Sequence, residues 1–372
     1  MPLTRISGDN VQDDNFSVGV TSVRTLSIGS TQVISSERQL QNITSLDATT
    51  AATIETAISS GPNTFADLNI TGVATFTQVS FGSTANIRIG DTTTGSSLSG
   101  GQNNFFAGVG AGSSTTTANA NIFIGPNAGL YNTTGCNNNF FGRRAGNTNT
   151  TGSFNNFIGL CAGCSNTFGQ ANNFFGLNAG SCNTTGSSNI FIGQSAGRYN
   201  TFGCFNNFLG CSAGRCNTTG CFNNFFGRYA GFSNTTGCHN NFFGCGAGIC
   251  NTTGCSNTFI GFWAGRYNTT GSHNNFFGNN TGYCNTTGTN NNFIGNQAGY
   301  SNTFGSYNNF FGILAGQSNT TGSNNNFFGR YSGYCNTTGS CNNFIGLCAG
   351  YSNTTGSNNN FFGCSAGFCN TT

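Results

Sequence analysis

Residues 217–233 read NTTGCFNNFFGRYAGFS, and residues 234–250 read NTTGCHNNFFGCGAGIC. The second stretch follows the pattern of the first after 17 residues. Working outward, the unit N-T-T-G-x-x-N-N-F-F-G-x-x-A-G-x-x begins at Asn132 and runs through fourteen complete copies, the last starting at Asn353. The register never slips, and Asn370-Thr371-Thr372 opens another copy. Two looser copies come before, with Phe106, Gly108, Ala111 and Gly112 in one and Phe123, Gly125, Ala128 and Gly129 in the next. A period this strict means one structural unit stacked on copies of itself. Helical repeats need more than about 30 residues, and glycine at positions 4, 11 and 15 of every unit opposes helix.

Two short strands and two turns suit 17 residues. The unit therefore predicts N-N-F-F as one strand, G-x-x-A-G as a turn, x-x-N-T-T as a second strand and G-x-x as the return. The constant glycines, Gly142 and Gly159 among them, mark corners needing positive φ or close backbone approach. Rungs stacked at about 4.8 Å make a rod roughly 65 Å long over the complete copies. The fold class expected is all-β, a flattened parallel β-solenoid or β-roll of 17-residue rungs.

Columns decide the packing. Position 9 is phenylalanine in every copy (Phe140, Phe157, Phe174, Phe191, Phe208, Phe225 and onward to Phe361), and position 10 is always Phe, Ile or Leu. Adjacent strand residues point to opposite faces, so two adjoining apolar columns ask for burial on both. One face is the solenoid interior, where the common alanine at position 14 leaves room; the other needs a partner, because a bare ladder of large apolar side chains invites aggregation. Which of the two columns faces inward is left open by the pattern. Asparagine is constant at positions 1 and 7 (Asn138 and Asn155 at position 7), which predicts amide ladders from rung to rung.

Composition excludes most chemistry. Charged residues are 5% of the chain, against about 25% in ordinary soluble domains. Residues 1–91 hold all eight acids, from Asp9 to Asp91, while residues 92–372 hold seven arginines and no carboxylate side chain. Paired-carboxylate catalysis, a Ser-His-Asp triad and carboxylate metal sites are thereby excluded from the repeats. No catalytic, cofactor or metal site is expected. Seven scattered arginines are too thin a field for nucleic acid, no run of 18 apolar residues spans a membrane, and the opening MPLTRISGDNVQDDN lacks a secretory core.

Other features have plain structural readings. The 18 cysteines sort by column, and Cys204, Cys221, Cys238 and Cys255 fall on consecutive rungs, within reach of disulfide geometry; free thiols are the alternative. Cys161-x-x-Cys164 is a lone pair without a second at zinc spacing. His239 and His273 share a permissive turn position, and Gly108–Ser114 imitates a phosphate loop without its lysine. The N-x-T triplets read as turn chemistry. Variable turn positions carry Trp263, Tyr229, Tyr300, Tyr334 and Tyr351, where a rigid rod could recognise a surface sugar. Residues 1–61 read as an attachment segment with a short helix after Ser45, residues 62–97 as a β-rich neck, and residues 98–372 as the solenoid.

The unit NNFIGxxAGxSNTTGS resembles the 17-residue repeats of phage tail-fibre and virion structural proteins, and of bacterial surface adhesins. More distantly it is similar to the trimeric β-roll head of autotransporter adhesins. MPLTRISGDN and NTFADLNITGVATFTQVSFG resemble the openings of cyanophage tail-fibre-like proteins. The resemblance covers about residues 98–372, and departs from those families in using Phe where they have small or aliphatic residues. It implies a homotrimer with residues 1–61 as its trimerisation segment, a non-enzymatic virion appendage joined to other tail proteins through its N-terminus, an extracellular location reached by lysis, and contact with host glycans. A cell-surface adhesin and an ice-binding solenoid, the latter suggested by threonine at position 2 of every copy, are the alternatives.

Overall fold

The computed structural model describes residues 101–371 and the backbone of three short strands, β1 (Leu26–Ile28), β2 (Thr31–Ile34) and β3 (Ile87–Ile89). Contacts divide the chain into Met1–Val79 and Ser80–Thr372. In the first unit β1 and β2 form an antiparallel pair. The expected helix after Ser45 and most of the neck lie outside the described residues.

The second unit is a parallel β-solenoid. From β4 (Phe105–Ala107) to β19 (Asn360–Phe362), a three-residue strand recurs every 17 residues, and no helix occurs among the described residues. Each strand pairs in parallel with its chain neighbours in strict register, as in Phe208↔Phe225 and Phe225↔Phe242. The ladder begins with β3 against β4 and ends with β18 (Asn343–Ile345) against β19, and no pairing joins its ends.

One expectation is corrected. Positions 16 to 3 form no second strand; each rung has a single strand, and a chain of turns carries the rest. These turns still bond from rung to rung. Gly146 N–H donates to the Ala162 carbonyl at 3.0 Å, Thr148 N–H to Cys164 at 3.1 Å and Thr133 N–H to Thr150 at 2.9 Å. Turns within the rung satisfy others, as Ala145 N–H to Gly142 carbonyl at 3.2 Å. Too few consecutive residues are extended to make a strand, but backbone polar groups are paired nearly all the way around, as a buried backbone requires.

The interior is a single file of phenylalanines. Position 9 points inward and is fully buried from Phe106 to Phe344. Successive rings stack nearly parallel with centroids 4.7 to 5.0 Å apart, the rung spacing itself. Gly163 (φ +56°) shows why glycine closes this core: a Cβ there would sit 2.5 Å from the Phe157 ring. At Gly142 (φ +129°) a Cβ would meet the Gly159 carbonyl oxygen of the next rung at 2.6 Å, so backbones at that corner pack directly on each other.

The glycine columns meet the expectation in both of its forms: positions 11 and 15 have positive φ, and position 4 is a close approach, where a Cβ on Gly220 would meet the Gly237 carbonyl oxygen of the next rung. Left-handed backbone also extends beyond glycine, since positions 6 and 13 take φ of 52 to 61° with ordinary residues, including Phe154, Phe222, Trp263 and Tyr229. Such residues disfavour this region by about 1–2 kcal/mol each. The neighbouring rungs impose it: Phe222 N–H donates back to the Cys204 carbonyl at 3.1 Å and Trp263 N–H to the Cys245 carbonyl at 3.1 Å.

Candidate functional site

Asparagine ladders lock the interior beside the phenylalanine file. At position 1, Asn217 Nδ2 donates to Asn200 Oδ1 at 2.7 Å and to the Gly220 carbonyl at 3.0 Å, while its Oδ1 accepts from Asn234 Nδ2 at 2.8 Å. At position 7, Asn155 N–H donates to Asn138 Oδ1 at 2.9 Å, and Asn155 Nδ2 reaches the Gly169 carbonyl at 2.9 Å. Both columns are fully buried along nearly the whole array. An uncharged amide carries two donor hydrogens beside its acceptor oxygen, enough to bond the neighbouring rungs and a turn carbonyl at once. A third ladder, at position 8, faces outward and is half-buried: Asn224 Nδ2 donates to Asn241 Oδ1 at 2.8 Å. It breaks where Ile190 and Thr258 stand in that position.

Position 10 is the outward apolar column. Ile158 is 41% exposed, Ile294 42% and Phe328 38%, and the intervening Phe141, Phe175, Leu209 and Phe277 are half-buried. Where two phenylalanines adjoin they stack, as Phe226 on Phe243 at 5.0 Å. The geometry thus settles which column faces in and which faces out.

The cysteines serve as hydrogen-bonding groups. Cys204, Cys221, Cys238 and Cys255 are free thiols. Cys221 N–H donates to Cys238 Sγ at 3.2 Å, and Cys221 Sγ–H donates to the Thr219 carbonyl at 3.4 Å. Serine fills the same column identically: Cys136 N–H donates to Ser153 Oγ at 3.0 Å, and Ser153 Oγ to Thr151 carbonyl at 3.3 Å. Burial raises the Cys238 thiol, and likewise Cys216, Cys250 and Cys284 in the column at position 17. Cys164 is pushed up to about 11, first by burial and then by the Cys161 thiol beside it. These thiols are protonated near neutrality and are poor nucleophiles and metal ligands there. Among the described residues no three His, Cys, Asp or Glu side chains gather as a metal site. His239 stacks on Phe222 at 5.0 Å, so it extends an aromatic turn column.

The variable aromatics fall on neighbouring turn columns and divide into two groups. Tyr334 stacks on Tyr351 at 5.0 Å, and Tyr351 on Phe368 at 4.9 Å. Trp263 and Tyr300 belong to a separate patch: Tyr300 stacks on Tyr283 at 4.8 Å, and Trp263 lies 6.1 Å from Tyr283. Tyr229 belongs to neither, lying edge-on to Phe232 at 5.7 Å with Arg228 4.8 Å over its ring. Sequence reasoning passed over the arginines threaded among these rings. Arg266 lies 4.3 Å over the Trp263 ring and donates from Nη1 to Tyr283 Oη at 3.0 Å. Arg215 lies 5.6 Å from both Tyr199 and Phe232, and Arg198 5.2 Å from Tyr199. The spacing held the signal, since Arg198, Arg215 and Arg266 all occupy position 16.

Threonine at position 2 is half-buried and its hydroxyl is committed, as in Thr218 Oγ1 donating to the Thr235 carbonyl at 3.1 Å. Position 3 is the exposed threonine column, interrupted by Phe168, Phe202 and Phe304. No helix among the described residues is long and apolar enough to cross a membrane. Comparison with family models, curated proteins and solved structures found no match to this chain.

Proposed function

We propose that this chain is a non-enzymatic fibrous structural protein, the shaft of a phage tail fibre or related virion appendage, in which copies associate along their length. The observation that carries the reading is the apolar column at position 10, half-exposed on rung after rung of a rigid rod. About fifteen rungs at about 4.8 Å make a stripe roughly 70 Å long, and at a width near 10 Å about 700 Å² per chain, close to the ~800 Å² per partner of a standard interface. Three copies is the number that the repeat's resemblance implies. Residues 1–97 would register the chains and join them to other virion proteins, and the exposed turn aromatics would meet the host surface.

The interior supports a mechanical role. Stacked rings, buried amide ladders and rung-to-rung backbone bonds fix each rung against two others, giving reach and stiffness without a mobile site. Electron microscopy of the purified chain, together with immunogold labelling of phage particles from lysed host cultures, tests the reading. Rods and label on the particle surface are expected; label confined to host cell envelopes would move the reading to a cell-surface adhesin. The ice-binding alternative is disfavoured because the threonine hydroxyls at position 2 are spent on the next rung and phenylalanine interrupts position 3. Thermal hysteresis in a purified sample would revive it.

A further inference from the structure

Three of the seven arginines in the repeats, Arg198, Arg215 and Arg266, line up at position 16, and no described residue has a carboxylate side chain to answer them. Arg198 and Arg215 are on successive rungs of one column, with the 39%-exposed Tyr199 ring within cation–π distance of both guanidinium groups. Like charges one rung apart repel, and here no described partner offsets that repulsion. Their aromatic neighbours hold the groups in place. Three rungs further, about 14 Å at strand spacing, Arg266 is set between Trp263 and Tyr267, at 4.3 and 5.2 Å from their rings. In all three arginines Nε is buried without a hydrogen-bond partner. Three planar cations, half-buried with Nε covered and pre-oriented by the rings beside them, stand on one line and meet whatever lies along the rod through the parts left uncovered.

We infer that this face, from Arg198 to Tyr300, binds an acidic polysaccharide, with the paired guanidiniums of Arg198 and Arg215 taking one anionic substituent and Arg266 another. A sugar chain fits the amphipathic aromatic surroundings, since pyranose rings offer C–H faces to the exposed rings of Tyr199 and Tyr267 beside their charged groups, while Trp263, covered by Arg266 and Phe262, lies next to that contact. Nucleic acid fits poorly: a phosphate on every nucleotide calls for a denser basic track than four arginines, Arg198, Arg215, Arg228 and Arg266, over five rungs. The inference deepens the proposed host contact by naming its chemistry. It does not depend on lateral assembly, because binding is read from a single chain's own tryptophan.

Trp263 is the only tryptophan in the protein, so its emission reports this patch alone. The full-length chain is titrated with polygalacturonate, dextran sulfate, neutral dextran and poly(dT), following Trp263 fluorescence. Saturable change with polygalacturonate or dextran sulfate, and none with neutral dextran, is expected; whichever polyanion binds tighter identifies the carboxylate or sulfate as the anion recognised. R266Q, and separately the R198Q/R215Q pair, should raise Kd about tenfold or more with unchanged circular dichroism, and added salt should weaken binding. Silence toward both acidic polymers, equal binding by R266Q, or tighter binding of poly(dT) would each overturn the inference. If chains prove monomeric and the titration still succeeds, the site survives while the fibre reading fails.

Discussion

Replacing Asn217 by aspartate changes one buried NH₂ group to oxygen with almost no change in shape. In the wild-type rung that group donates to Asn200 Oδ1 at 2.7 Å and to the Gly220 carbonyl at 3.0 Å, and the side chain is fully buried. The introduced carboxylate would aim an oxygen at two acceptors. Gly220 keeps a donor in Asn206 Nδ2 at 2.8 Å, but Asn200 Oδ1 loses the donor it had. An uncompensated buried charge costs about 3–5 kcal/mol. The sign of the pH dependence follows. Burial and facing acceptors raise the folded-state pKa above its unfolded value of about 3.9, so the native state holds the proton more tightly. The variant is then least destabilised below about pH 4, where only a hydrogen-bond loss of about 1–3 kcal/mol persists, and loses stability as pH rises through the raised pKa. The repeats have no carboxylate side chain of their own to confuse the titration. Hydrogen exchange with mass spectrometry, corrected for intrinsic rates at pH 4 and pH 7, reads the local opening of rungs around residue 217. Asn224→Asp, in the half-buried outer ladder, is the control and should cost about 0.5–1.5 kcal/mol. Protection at pH 7 within tenfold of wild type, about 1.4 kcal/mol, would refute the ladder argument.

Other perturbations follow from the same columns. Gly163→Ala forces a methyl against the Phe157 ring at positive φ, so overpacking of about 1–3 kcal/mol plus about 1–2 kcal/mol of backbone strain should lower thermal stability measured by circular dichroism. Cys221→Ser should be neutral, since serine makes the same bonds at Ser153, whereas Cys221→Ala should cost about 0.5–1.5 kcal/mol; equal effects would show the thiol bonds to be idle. Leu314→Asn, at φ 59° in a column where Asn127 and Asn178 already sit, should stabilise slightly, because asparagine tolerates that region better. With its thiol raised to about 11, Cys164 should alkylate more slowly than exposed Cys364 at neutral pH and gain roughly tenfold per pH unit until that value; peptide mapping after iodoacetamide distinguishes the two.

The repeat made the architecture legible because every rung repeats the same constraints. A constant Phe, three constant glycines and two constant asparagines could only be columns of a stacked fold, and the ladders at Asn138 and Asn217 are where the period put them. The inward sense of Phe225 against Phe226 was not legible, since both residues are apolar and the alternation of a three-residue strand is too short to rank them. The second strand was overread: threonine and asparagine at positions 1 to 3 look extended, yet Asn217 turns back to its own Gly220. Left-handed backbone at Phe222 and Trp263 was invisible for a different reason. Side-chain identity argues against it, and only the carbonyls of the preceding rung impose it. The arginine and aromatic patch needed the third dimension, because Trp263, Arg266 and Tyr283 belong to adjacent rungs, and separate columns become one surface only when the rungs stack.

Solution mass tests the claim that the apolar column at position 10 is buried between copies. Light scattering of the full-length chain after size-exclusion chromatography should return three times 38.6 kDa, and Ile294→Asp, on the outward column, should shift that mass downward without loss of circular dichroism. A stable species of 38.6 kDa would contradict the account, leaving a solitary solenoid whose outward column faces water.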